Sequence, residues 1–323
     1  MRVLITGGAG FIGSHLAESH LRRGDSVTVL DDLSTGSLTN LRAIAHADGF
    51  RCTVGRVEHM ETAAPLVESA DLVYHLAAAV GVRLIVERPV HTIETNILGT
   101  RTILEAAART GSRVIVASTS EVYGKSLELP FREDADLLLG PSTRSRWSYA
   151  ASKLVDEFLT LAYCKERALP GIVVRLFNTV GPRQTGRYGM VIPNFVRQAL
   201  DGSPLTVHGD GQQSRCFCHV EDVCDALTGL AGKTEAVGQV FNVGSSEEVT
   251  MEQLAGRVRL LTDSDSPIEY VPYERAYEAG FEDMRRRVPD TTKVTALTGW
   301  RPRHDLDAML RSVIEFERAR TAA

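Results

Sequence analysis

The most confining stretch of this chain lies at its start. Arg2-Val3-Leu4-Ile5-Thr6 is a short β-rich run, Gly7-Gly8-Ala9-Gly10-Phe11-Ile12-Gly13 follows it, and an amphipathic stretch continues to Arg23. Strand, glycine turn and helix in immediate succession leave few alternatives. Gly7 permits a tight turn, Gly10 lets the backbone approach a pyrophosphate held at the helix N-terminus, and Gly13 lets helix and strand pack closely. The second strand, residues 26–30, ends in Asp31-Asp32. That is about 20 residues past the glycines, where a carboxylate accepts hydrogen bonds from the adenosine ribose and repels a 2′-phosphate. Asp31, with Asp32 the weaker candidate, therefore favours NAD over NADP; the alternative for Asp31 is a solvated turn residue.

Buried-strand patterns recur at Phe50–Val54 and at residues 72–76, 113–117 and 171–175, and helical stretches lie between most of them, notably 89–109 and 147–167. Such alternation predicts an α/β fold, a doubly wound parallel sheet of the Rossmann type with ligand at the carboxyl ends of its strands. After Arg175 the rhythm breaks. Residues 178–189 are rich in Gly, Pro and Arg, and a helix (Val191–Leu200), a short strand (205–207) and a Gly-Gln stretch (209–213) follow. This reads as a smaller mixed α+β substrate-binding domain forming the other wall of a cleft. The chain returns to the sheet around residues 220–244. The expected division is 1–177 and 220–246 for the NAD-binding domain, with 178–219 and 247–323 for the substrate-binding domain.

At 323 residues, 43% hydrophobic and 24% charged, the chain can bury a large core. A formal charge of -5 offers no general attraction for nucleic acid or an anionic membrane, so an anionic ligand must be met by a few local arginines. The strand pattern starts at once, without the basic and apolar regions of a signal peptide, and no segment has the roughly 20 apolar residues of a membrane span. The expected location is the cytoplasm. Five cysteines (Cys52, Cys164, Cys216, Cys218, Cys224) form no CxxC pair. Cys216-Phe217-Cys218-His219 lacks a second ligand pair, so strand alternation with both sulfurs on one face as packing or free thiols is preferred to a metal. No metal is expected.

Tyr149-Ala150-Ala151-Ser152-Lys153 places a phenol and an ammonium on one helical face, one turn and about 6 Å of rise apart. A fixed positive charge favours the phenolate and brings its proton transfers within working range.

Taken with further motifs in order, the chain resembles, over nearly its full length, the extended short-chain dehydrogenase/reductases that modify nucleotide sugars. The glycine turn, Asp31-Asp32, His75-Leu76-Ala77-Ala78, Asn96-Ile97-Leu98-Gly99-Thr100, Ser118-Thr119-Ser120-Glu121-Val122-Tyr123-Gly124, Tyr149 with Lys153, residues 175–183, Arg215 with His219-Val220-Glu221-Asp222, and Arg287-Val288-Pro289-Asp290 carry that resemblance. It implies that Thr119 completes a triad with Tyr149 and Lys153, holding the sugar's O4 while the phenolate takes its proton. It implies NAD contacts from Gly7, Gly10, Phe11, Ile12, Gly13, Leu76, Ala77, Ala78 and Asn96, with Lys153 and Tyr149 at the nicotinamide end. On the sugar-nucleotide side it implies Ser118, Thr119, Ser120, Glu121, Asn178, Thr179, Val191, Thr206, Arg215 and Arg287, the two guanidiniums suiting pyrophosphate oxygens. One departure stands out: relatives commonly carry Asp-Val or Asp-Ile after the third strand, whereas here the pair is Arg56-Val57. An arginine cannot accept a hydrogen bond from adenine, which leaves Val57 as a backbone contact.

The shared first step the resemblance implies is oxidation at C4 by bound NAD. Dehydration would need an acid where Ser120 stands. Epimerisation needs no further group, and decarboxylation needs a 6-carboxylate. The Thr-Ser-Glu run resembles decarboxylases as much as epimerases, while residues 177–187 and Gly280-Phe281-Glu282-Asp283 look more like bacterial 4-epimerases. The expectation is a UDP-hexose 4-epimerase, with UDP-glucuronate favoured over UDP-glucose because hydroxyls at Ser118, Ser120 and Thr179 could bind a carboxylate. The alternatives are a UDP-glucuronate decarboxylase and a non-catalytic NAD-binding regulator. The long helices at 89–109 and 147–167 resemble the pair this family uses for a four-helix homodimer interface.

Overall fold

A computed structural model describes residues 1–79, 88–186, 190–272 and 284–322. The first half alternates as the sequence pattern predicts: β1 (Arg2–Thr6), α1 (Phe11–Arg22), β2 (Ser26–Asp31), β3 (Phe50–Val54), α2 (Met60–Glu68), β4 (Leu72–His75), α3 (Pro89–Thr110), β5 (Arg113–Thr119), α4 (Arg146–Arg167) and β6 (Gly171–Leu176). Pro89 starts α3, where its missing N–H costs nothing, and Gly111 ends it in the left-handed region (φ 73°).

Beyond β6 come β7 (Thr179–Val180), α5 (Val191–Leu200), β8 (Leu205–His208), β9 (Ser214–Cys216), β10 (Cys218–His219), α6 (Val220–Ala231), β11 (Val240–Val243), β12 (Glu248–Thr250), α7 (Met251–Thr262), β13 (Ile268–Val271), α8 (Thr292–Thr298) and α9 (Leu306–Ala322). Seven strands form one sheet in the order β11-β6-β5-β4-β1-β2-β3, and every pairing in it is parallel. The winding reverses between β1 and β4, which opens a crevice at their carboxyl ends. The strand at Phe50–Val54 departs from the buried reading. It is an edge strand whose Arg51, Cys52 and Val54 are exposed, because nothing pairs with its outer side.

One apolar core fills the space between the sheet and the α1–α6 side, including Ile5, Val29, Tyr74, Ile172, Leu227 and Phe241. A second lies on the opposite sheet face under α2 and α3. A third is separate, built by Phe195, Leu205, Val207, Leu254, Leu310 and Ile314 from α5, β8, α7 and α9. Residues 292–300, assigned by sequence to the second unit, pack elsewhere: Val294 and Trp300 belong to the sheet core, and Trp300 Nε1 donates to the Asp222 carbonyl (2.8 Å).

The Cys216-Phe217-Cys218 run is two short strands rather than one. β9 pairs with β12 and β10 with β7, so Cys218 enters the sheet core while Phe217 enters the third core. The change of partner at Phe217 joins the two cores. All five cysteines are free thiols.

Candidate active site

A cavity of about 580 Å³ opens at the carboxyl ends of β1, β4 and β5 and extends to α5 and β8. Every site residue named from sequence lines it except Asn96. Asn96 is buried in α3, where its Oδ1 accepts from Ala79 N (2.8 Å) and its Nδ2 donates to Ser152 (3.0 Å). It braces the helix carrying Tyr149 from behind.

The dinucleotide half is shaped by backbone. Gly7 has φ +70°, and a Cβ there would stand 2.8 Å from Ala77 N; one at Gly13 would stand 2.4 Å from the Gly7 carbonyl. These are close approaches that only glycine allows. Gly10 caps α1 without a side-chain acceptor, which leaves first-turn N–H groups facing the cavity for phosphate oxygens. Asp31 is buried at the tip of β2. It accepts from Ala9 N (2.9 Å) and Leu33 N (2.8 Å), and burial raises its pKa despite those bonds. Asp32 accepts from Ser34 N (2.9 Å). Glycines, amides and carboxylates of this kind fit a dinucleotide. Arg56 is not a lining residue; its guanidinium lies beside Asp32 (3.9 Å) and Glu58 (3.6 Å) at the cavity's edge. Val57 and Glu58 line the wall in its place. Glu58 was missed by sequence reasoning, although a carboxylate two residues past Arg56 was visible as a substitute.

The three residues expected to be catalytic converge from β5 and α4. Thr119 ends β5 and accepts from Glu121 N (3.2 Å), so its own hydrogen remains to donate. Tyr149 is hydrogen-bonded to Thr119, yet burial, with the Glu121 and Asp156 charges, pushes its phenol up rather than down. This departs from the sequence-level expectation of an ammonium-stabilised phenolate. Burial of the phenol is the largest cause; Lys153, the expected stabilising charge, donates its Nζ to Asp156 (2.7 Å), and both of those groups are almost wholly buried. Arg146, one turn before Tyr149 on the same helix face, also lines the cavity; its i, i+3, i+7 spacing with Tyr149 and Lys153 was the available signal.

On the sugar side many hydroxyls and amides are already engaged. Ser118 donates to Glu157, which is paired with Arg175 at 2.8 Å. Thr179 donates to the Phe177 carbonyl (3.1 Å), and Asn178 Nδ2 to the Cys216 carbonyl (2.9 Å). Thr206 accepts from Gln198 (2.9 Å). Two of the three hydroxyls expected to bind a carboxylate are therefore committed to the protein, and Ser120 is the one without such a bond among the described residues. Arg215 donates to the Ser214 carbonyl (2.7 Å). Arg287 faces Glu121 at 3.8 Å; the arginine is buried and the glutamate mostly so. Residues 187–189 and Gly280-Phe281-Glu282-Asp283 lie outside the described residues.

His219, Glu221 and His304 bring donor atoms within 4.8 Å of one another. The two imidazoles lie face to face at a tilt, with centroids 4.2 Å apart and 34° between their planes. Their nitrogens already have protein partners: His304 Nδ1 is engaged by Asp222 (3.0 Å) and His219 Nε2 by Ser312 (3.2 Å). No described helix is long and apolar enough to cross a membrane.

This geometry agrees with what the chain is similar to. A UDP-N-acetyl-alpha-D-glucosaminuronate decarboxylase of Bacillus cytotoxicus is 42% identical, over 98% of both chains. UDP-glucuronic acid decarboxylase 1 of Danio rerio is 36% identical over 98% of this chain and 72% of its own. Among solved structures, the UDP-glucose 4-epimerase of Thermotoga maritima with UDP-glucose superposes with a TM-score of 0.89 at 29% identity, covering 99% of this chain and 100% of that one. The UDP-glucuronic acid 4-epimerase of Bacillus cereus, in complex with UDP-glucuronic acid and NAD, reaches 0.88 at 25% identity and 99% of each chain. The family model of NAD dependent epimerases and dehydratases matches residues 3–244, so the chain belongs to that family, an extended short-chain dehydrogenase/reductase with NAD as its cofactor.

Proposed function

We propose that this protein decarboxylates a UDP-hexuronic acid through a 4-keto sugar, in preference to the 4-epimerisation expected from sequence. The observation that carries the reading is Glu121 facing Arg287 at 3.8 Å, in the same cavity as Tyr149 and Thr119. Epimerisation needs O4 chemistry and room for the keto sugar to turn. Loss of a 6-carboxylate calls in addition for a cation to orient it and an acid to return a proton to C5. Curated decarboxylases matching nearly the whole chain support the same reading.

When bound, NAD supplies hydride acceptance and return at C4. Thr119 holds O4 and Tyr149 takes its proton. Once C4 is a carbonyl, the substrate is a β-keto acid. The C5–C6 bond electrons move toward the C4 carbonyl and CO2 departs; Glu121, which takes up a solvent proton when the like-charged 6-carboxylate binds beside it and claims Arg287, delivers that proton to C5. Arg215 serves the diphosphate, with residues 178–219 and most of 247–323 as the sugar-nucleotide unit and 1–177 with 220–246 as the NAD unit. Five free thiols suit a reducing compartment, so we place the enzyme in the cytoplasm.

The test is incubation with UDP-glucuronate and with its 2-acetamido counterpart, followed by product mass. Loss of CO2 from either is the expected result. An isobaric product returns the epimerase reading, and tight NAD binding without turnover returns the non-catalytic one.

We also propose a homodimer through α3 and α4, which carry the exposed apolar residues Val90, Ile93, Leu98, Val155 and Phe158. Sedimentation of the protein should give a dimer and of Phe158→Arg a monomer.

A further inference from the structure

Beneath the cavity floor runs a line of buried polar groups that the chemistry above does not use. Ala77 N donates to Thr6 Oγ1 (3.3 Å), Thr6 Oγ1 meets His75 Nδ1 (2.8 Å), and His75 Nε2 meets Thr100 Oγ1 (3.1 Å). The Thr100 hydroxyl favours the charged form of Asp156, which accepts from Lys153 Nζ at 2.7 Å. Thr6, Thr100 and Asp156 have no exposed surface, and His75 and Lys153 have almost none.

The direction of this line follows from its ends. A backbone N–H only donates and an ionised carboxylate only accepts. Thr6 therefore accepts from Ala77 and donates to His75 Nδ1, which puts the ring proton on Nε2. Burial pushes His75 down to about 3, so the ring is neutral with one proton to give. Thr100 accepts that proton's hydrogen bond, which leaves its own hydrogen for Asp156, whose Oδ1 is buried with no hydrogen-bond partner among the described residues. Each link then presents its positive end to Asp156, and such links strengthen one another.

We propose that Asp156 is the positioning residue for Lys153, and that the Thr6–His75–Thr100 line ties the ammonium's place to the dinucleotide turn. The proposal rests on the reading of Tyr149 and Lys153 as the catalytic pair. A lysine ammonium is a compact charge on a flexible stem with three donors. One donor held by Asp156 fixes the stem and leaves two for the cavity that Lys153 lines. Without the carboxylate, the ammonium is drawn to the acidic groups of the cavity itself, the Tyr149 oxygen and Glu121.

The other groups bearing on Asp156 are accounted for. Glu157 on α4 acts on it as a like charge, but is itself held by Arg175 of β6 and Ser118 of β5. Thr100 comes from α3 and neutral His75 from β4. Asp156 is also one of the charges that hold the Tyr149 phenol up.

The decisive variant is Asp156→Asn, which keeps shape and removes charge, examined as holoenzyme across pH. We expect kcat to fall about tenfold or more with KM within about threefold of wild type, and the acid limb of log kcat to move roughly one unit lower, because the charge opposing phenol ionisation is gone. Thr100→Val should move the limb less, and Thr100→Ser, which keeps the hydroxyl, should restore the wild-type profile. A Tyr149→Phe enzyme that turns over normally would overturn the site reading itself. An inactive Tyr149→Phe beside an Asp156→Asn with an unmoved pH profile overturns the positioning role alone. Should Asp156→Asn not fold, equal profiles for Thr100→Val and Thr100→Ser overturn it instead.

Discussion

The two ends of the cavity are built from different material. The end where NAD is expected is made of backbone: a glycine turn at φ +70°, carbonyls and amides too close for a Cβ, and helix N–H groups left open. The end where the sugar nucleotide is expected is made of side chains, many of them bonded to other protein groups. Ser118 serves a buried ion pair, Thr179 and Asn178 serve carbonyls, and Lys153 serves Asp156. A backbone site is specified by which residues can adopt a conformation, while a side-chain site is specified by who else competes for each donor.

The sharpest way to break this contrast is Tyr149→Phe. It removes a proton carrier without disturbing backbone, so kcat should fall by about 10³-fold or more while NAD and UDP-sugar remain bound in calorimetry. Glu121→Gln should come next. Decarboxylation should drop about 10²-fold while oxidation at C4 continues, so NADH absorbance should accumulate in a stopped assay; a fully active variant would remove Glu121 as the acid. Gly7→Ala tests the backbone end. A left-handed residue with a Cβ costs about 1–2 kcal/mol, so NAD affinity should weaken about tenfold with the sugar-nucleotide affinity unchanged.

The smallest effects separate hydroxyls that look alike in sequence. Ser118→Ala should lower the melting temperature, through a lost buried hydrogen bond of about 1–3 kcal/mol, with KM unchanged. Ser120→Ala should instead raise KM for the uronate about fivefold with stability unchanged, as expected for one hydrogen bond of about 1 kcal/mol. The reverse pattern would mean that Ser118, not Ser120, faces the substrate.

Much of this was legible early. Strand periodicity anticipated the parallel sheet and its return after Val220, and the strand-end motifs anticipated which residues surround the cavity. The misses share a cause. Asn96 belongs to a motif expected at the cofactor, and its amide nitrogen is engaged across a helix–helix seam. Phe50–Val54 has a strand's residues but an edge strand's exposure. Cys216 and Cys218 belong to two strands because Phe217 is needed by a different core.

The sequence by itself determined the winding of the fold, the cofactor class and the residues gathered at the crevice, since glycine stereochemistry and apolar periodicity act locally. Only the tertiary structure decided what each polar group is free to do. Burial raised the Tyr149 phenol, Asp156 took the Lys153 ammonium, and Arg287 was set against Glu121 across 166 positions of chain. Hydrogen-bond partners and desolvation depend on groups far apart in the chain, and no local pattern encodes them.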